Sequence, residues 1–184
     1  MYRHRPFLFL LLLGCQTLVT AAPISHSRHH IPSHKKKQHG TTGGSGHVTH
    51  LSPRTRVIHT LLAQLGKPYR WGGASPETGF DCSGLVYYAW HKNFNIRLPR
   101  TAEGMYTMPR ARSVQLQNLE PGDMVFFSMA GEQVDHVGVY VGNGHFIEAP
   151  HTGQDVKIVS LMKENYRRHY QGARRLITPE REDS

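Results

Sequence analysis

After Leu119-Glu120-Pro121-Gly122-Asp123, a turn signal, the hydrophobic pattern of this chain changes period. Before it, apolar residues fall at helical spacing. Val57, Leu61, Leu62 and Leu65 mark one helix in TRVIHTLLAQLG, stopping at Gly66. Leu85, Val86, Ala89 and Trp90 mark another in DCSGLVYYAWHKNF, with Asp81 as its cap. LPRTAEGMYTM adds a short helical turn, and the turn-rich KPYRWGGASPETGF between the two main helices reads as irregular. Beyond the break, MVFFSM, HVGVYVG, HFIEAP and DVKIVSLM are short, β-branched or aromatic, and separated by Gly, Asn and Pro. Helices followed by a run of strands predict an α+β domain with an antiparallel sheet. No period of about 20 to 50 residues recurs, which excludes a repeat architecture.

That domain does not use the whole chain of 184 residues. Residues 1–22 combine a basic start, MYRHRP, an apolar run, FLFLLLLG, and small residues, CQTLVTAA, which is the pattern of an export signal. The run is far shorter than the roughly 20 apolar residues that cross a bilayer. Two processing routes fit. LLGC at Leu12–Cys15 resembles a lipoprotein box in which Cys15 is lipidated, and VTAA offers ordinary cleavage near Ala21. Residues 23–53, rich in His, Lys, Gly and Ser and without apolar periodicity, are expected to form a disordered linker. Residues 1–50 carry six Lys/Arg and no Asp or Glu, so +6 of the +9 net charge lies there, as do eight of the fourteen histidines. The basic surplus therefore belongs to the tail, no recognition motif accompanies it, and nucleic acid is not an expected partner. The histidines could bind metal, although a solvated linker explains them as well. The folded domain is expected over residues 54–177, with a flexible tail at 178–184.

Export leaves one thiol in the domain. Cys15 is removed or blocked by either route, so Cys82 is a buried filler or a reactive group. A thiol attacks as thiolate, of which an ordinary cysteine holds only a few per cent at neutral pH. A helix N-terminus, with unpaired N–H groups and the positive end of the dipole, favours the ionised form, and Cys82 falls in the first turn of its helix. The same N–H groups could hold a tetrahedral oxyanion. The base must be a histidine. His91 lies nine residues along the Cys82 helix, more than two turns away. His59 and His169 are expected on the surface, and His145 and His151 also lie in the strand region. His136 opens a strand, from which an imidazole can face a helix end.

Hairpin geometry bears on the group that orients this imidazole. If Asn143-Gly144 forms a two-residue turn, Gly142 pairs with His145 and His136 shares a face with His145. If Gly142, Asn143 and Gly144 form a three-residue loop, Val141 pairs with His145 and His136 shares a face with Glu148. The pattern itself leaves both open.

GKPYRWGGASPETGFDCSGLV, LPRTA, LEPGDMVFF and DHVGVYVGNGHFIEAPHTG, in that order and followed by YQGARRL, resemble the NlpC-type cell-wall peptidases, a family of bacterial cysteine enzymes. The resemblance runs from about Thr55 to Leu176, with the His block 54 residues after the Cys. It implies a compact papain-like domain with helices packed on a five- to six-stranded antiparallel sheet. It further implies Cys82 as nucleophile, His136 as general base and Glu148 as third residue, which selects the second hairpin. Family members often carry His, Asn or Gln at that third position, so Glu148 is a departure. Tyr69 is implied near the oxyanion, and Asp81, Ser83 and Arg100 as residues that shape the site. The implied reaction is hydrolysis of peptidoglycan stem peptides between the γ-carboxyl of D-glutamate and a diamino acid, without metal or organic cofactor. The enzyme would act as a periplasmic monomer, anchored to the outer membrane if Cys15 carries lipid, or secreted. An N-acetylmuramoyl-alanine amidase, an acyl transferase or a non-catalytic wall-binding protein are the alternatives.

Overall fold

The computed structural model describes residues 51–176. The export segment, Cys15, nearly all of the linker and the C-terminal tail lie outside the described residues. Helix α1 (Pro53–Leu62) begins one residue inside the stretch assigned to the linker, because Pro53 suits a first helical position and Ser52 caps it, its Oγ accepting from Thr55 N at 3.2 Å. It also ends earlier than the apolar spacing predicts. Gly66, at φ 78°, donates its N–H to Val156 O at 2.9 Å, and this pulls the chain out of the helix toward the sheet. Val57 and Leu61 are therefore buried, whereas Leu62 and Leu65 are exposed.

The segment expected to be irregular contains a small antiparallel hairpin, β1 (Ala74–Ser75) with β2 (Gly79–Phe80). Helix α2 (Cys82–Phe94) follows at once and ends at Asn95, whose left-handed backbone (φ 56°) lets its N–H return to His91 O. Helix α3 (Ala102–Thr107), capped by Thr101, completes the helical half.

The second half is one antiparallel sheet. Strands β3 (Ala111–Val114), β4 (Met124–Phe127), β5 (His136–Gly142), β6 (His145–Glu148), β7 (Lys157–Ser160) and β8 (Tyr170–Leu176) lie in the order β3-β8-β4-β5-β6-β7. Helix α4 (Glu164–His169) joins β7 to β8. The central strands are buried on both faces. Met124, Phe126, Val137, Val139 and Ile147 pack under α1, α2 and α3. Val125, Phe127, Phe146 and Ala173 pack on the other side with Leu161 and with Tyr166 of α4. Each fully buried Phe, Leu or Ile contributes about 1.5–3 kcal/mol relative to exposure. Asp123 of the Pro-Gly-Asp turn is buried and accepts two bonds of 2.7 Å from the Arg175 guanidinium, which ties the entry of β4 to β8.

The β5–β6 hairpin combines the two anticipated loops. Its tip is the two-residue turn, with Gly142 opposite His145 and positive φ at Asn143 (51°) and Gly144 (72°). A bulge at Val141 then resets the register, so Tyr140 faces Phe146 and Val139 faces Ile147. The one extra residue puts His136 on the same face as Glu148.

Candidate active site

Two glycine contacts explain why α2 begins where it does. Gly84 N–H donates to the capping carboxylate of Asp81 at 2.5 Å, and a Cβ on Gly84 would lie 1.9 Å from Gly73 O. Only glycine lets the Gly72–Gly73 turn press against the first turn of α2. The other Asp81 oxygen accepts from Gly72 N at 2.9 Å and pairs with Arg100 at 3.2 Å. Arg100 also donates to Gly72 O at 3.3 Å, and Ser83 Oγ donates to Arg100 O at 2.7 Å. Asp81, Ser83 and Arg100 thus bind one another and the adjoining turn, bracing the start of the helix. A Gly84→Ala variant is expected to lose about 3 kcal/mol or more of stability, read as a lowered midpoint in denaturant unfolding, because neither backbone segment can yield. A variant as stable as the parent would contradict this packing.

Cys82 is the first residue of α2, half-buried, with its Sγ 4.0 Å from Asp135 O. At this position its N–H and that of Ser83 precede the first intrahelical bonds and have no acceptor among the described residues. Asp135 is held by its own loop, its carboxylate accepting from Met129 N and Ala130 N at 2.7 Å each. The next residue, His136, opens β5 and is buried beside the thiol. Its Nε2 meets Glu148 Oε2 at 2.7 Å, which leaves Nδ1 for the sulfur. Burial alone would lower the imidazole pKa. The hydrogen bonds and charges of Cys82 and Glu148 outweigh it and push the pKa up to about 9. The ring is therefore imidazolium at neutral pH, a state suited to stand beside a thiolate and to donate a proton.

Glu148 is fully buried, and its second oxygen accepts from the Tyr166 hydroxyl at 2.5 Å. Burial, and then the Glu148 contact, raise the tyrosine pKa strongly, which keeps it a neutral donor. Tyr166 also packs edge-on against Phe127 and Phe146, which fixes its orientation. The site is a chain of four side chains drawn from α2, β5, β6 and α4. Tyr69, half-buried, has its pKa raised by burial first and then by the charges of Cys82 and Asp81, which keeps the proton on its hydroxyl. Three other candidate histidines are placed elsewhere. His91 stacks on Tyr87, His59 is exposed, and His145 is exposed with Nδ1 on Asn143 O at 2.7 Å.

Residues 66–175, which span all four of these positions, match the sequence profile of the NlpC/P60 family. The chain belongs to the NlpC/P60 family. A relative in Escherichia coli K12, murein DD-endopeptidase MepH, is 51% identical over 140 residues, 75% of this chain and 52% of that protein. The gamma-DL-glutamyl hydrolase of Bacillus subtilis 168 is 35% identical over 151 residues, 79% of this chain and 36% of that protein. A crystal structure of an NlpC/P60 family protein from Bacillus cereus superposes with a TM-score of 0.63 at 32% identity, covering 68% of this chain and 40% of the other. The chain spans about half the length of MepH and about a third of the glutamyl hydrolase.

Within this NlpC/P60 fold, Tyr166 is the one member of the site that sequence reasoning missed. It lies in NYRRH, where three basic residues conceal a two-turn helix, and only the packing of α4 on the sheet reveals its partner.

Proposed function

We propose that the protein is an exported thiol endopeptidase that cleaves peptidoglycan peptides on the amine side of a diamino acid. The observation that carries this reading is the contact series Cys82–His136–Glu148 at the start of α2 in an NlpC/P60 domain. Cys82 thiolate attacks the scissile carbonyl carbon, forming a C–S bond and an oxyanion held by the Cys82 and Ser83 N–H groups with help from Tyr69. The C–N bond breaks as His136 gives its proton to the leaving amine. A thioester remains. Water then attacks it, His136 takes the water proton, and the acyl product leaves as a carboxylic acid as the sulfur departs, restoring the thiolate–imidazolium pair. The side chains of Asp81, Ser83 and Arg100 hold the helix start, and with it the Cys82 and Ser83 N–H groups, in place.

The γ-D-glutamyl–diamino acid bond is the substrate expected from the sequence, and the name of the Bacillus relative supports it. A crosslink between D-alanine and the diamino acid is the second reading, favoured by the higher identity to a DD-endopeptidase. Both place the diamino acid on the leaving side. Liquid chromatography with mass spectrometry of defined muropeptides separates the readings. Cleavage of uncrosslinked tripeptide stems supports the first. Cleavage of crosslinked dimers alone supports the second. Release of the whole peptide from muramic acid would replace both with an amidase.

The substrate lies outside the cytoplasmic membrane, and the signal-like residues 1–22 support delivery there. A periplasmic location follows, with lipid on Cys15 as the proposed tether.

A further inference from the structure

A cleft of about 390 Å³ opens against Asp135, His136 and Glu148. Lys157, Lys163, His151 and Gln154 line it with them. Its two acids are already committed. Asp135 accepts two backbone N–H groups, and Glu148 is held by His136 and Tyr166. Its lysines are not neutralised. Lys157 stands directly opposite Glu148 in the β6–β7 register, on the same face, and its Nζ donates only to the neutral Gln154 amide oxygen. Lys163 is exposed at the mouth, and neither lysine belongs to an ion pair among the described residues. With Glu148 paired to the His136 imidazolium, Lys157 and Lys163 outweigh the one remaining carboxylate, Asp135, and this positive excess calls for an anion. Its position says which one. His136 hands its proton to the leaving amine, so the residue that departs must lie against the imidazole, and the cleft begins there.

We propose that this cleft is the subsite for the leaving residue and holds that residue's free carboxylate between Lys157 and Lys163. The inference rests on the peptidase reading above and deepens it by naming the substrate class: a dicarboxylic diamino acid such as meso-diaminopimelate, which keeps a free carboxylate whichever acyl group is cleaved. A lysine–carboxylate contact formed in both ground and transition states acts on binding, so its loss appears in KM more than in kcat.

The test uses the full chain and two muropeptides that differ only in whether the carboxylate of the leaving residue is free or amidated. The wild-type protein is expected to prefer the free form about tenfold in kcat/KM, the scale of one charge-assisted hydrogen bond. In Lys157→Met and Lys163→Met that preference falls toward one, through a raised KM for the free-carboxylate substrate. Lys163 is exposed, so its variant reports on the subsite even if Lys157→Met proves unstable by circular dichroism. Equal rates on both substrates in the wild type would overturn the subsite while leaving the peptidase intact. A full preference retained in both variants would overturn it too. Failure to cleave either substrate would instead remove the peptidase reading, and the subsite with it.

Discussion

Replacing Cys82 by Ala is expected to lower kcat on muropeptides about 10⁴-fold or more while shifting the unfolding temperature by no more than about 2 °C. The two halves of this expectation have separate causes. On the proposed mechanism the sulfur forms the acyl bond, so without it the N–H groups at the helix start can only polarise a carbonyl that nothing attacks. Its contribution to folding is small, because Cys82 is half-buried at the rim of the helix start and its contact with the Asp135 carbonyl is long, at 4.0 Å. The helix is nucleated by Asp81 and Gly84, which the substitution leaves in place. Activity above a few per cent of the parent would mean that another group attacks. A large fall in unfolding temperature would mean that the thiol is structural.

The second large effect concerns Glu148. Glu148→Ala leaves the Tyr166 hydroxyl and one imidazole nitrogen without partners in a buried space, at an expected cost of about 2–4 kcal/mol of stability. The ring is then free to turn away from the sulfur, and kcat/KM falls about a hundredfold or more. Glu148→Gln keeps the contacts, since its amide oxygen accepts from Nε2–H and its amide nitrogen donates to the Tyr166 oxygen. It removes the charge alone. The carboxylate helps hold the His136 pKa at about 9, so its neutral replacement lowers that pKa. A proton donor with a lowered pKa is lost earlier as pH rises, and the alkaline limb of the kcat/KM profile, near pH 9 in the parent, moves to lower pH. Titrating kcat/KM for the three proteins checks both claims. Parent-like profiles in Gln and Ala alike would remove Glu148 from the site.

The pairing of Cys82 with His136 was legible because each side chain sits at an element boundary that local signals mark: an Asp cap before the helix, and a loop before the strand. The role of Glu148 was less so. Its face depends on one residue of register, and the bulge at Val141 that decides it leaves no composition signal; either hairpin was compatible with Gly142-Asn143-Gly144. Tyr166 was invisible for a related reason. A short helix is stabilised mainly by what it packs against, so its sequence need not look helical. Likewise β3, Ala111–Val114, has no alternating apolar pattern and becomes a strand because β8 offers it an edge. Leu62 and Leu65 show the reverse error, in which periodic apolar residues continue past a helix that a tertiary hydrogen bond at Gly66 has already ended.

The central claim is that the Cys82 sulfur forms the covalent bond to the substrate carbonyl. An analogue of the cleaved muropeptide, with a ¹³C-labelled aldehyde at the scissile carbon, tests it most directly by NMR of the bound complex. The account predicts a hemithioacetal resonance in the wild-type protein and only the free aldehyde or its hydrate with Cys82→Ala. A bound, inhibiting analogue whose labelled carbon stays a hydrate in the wild-type protein would contradict it.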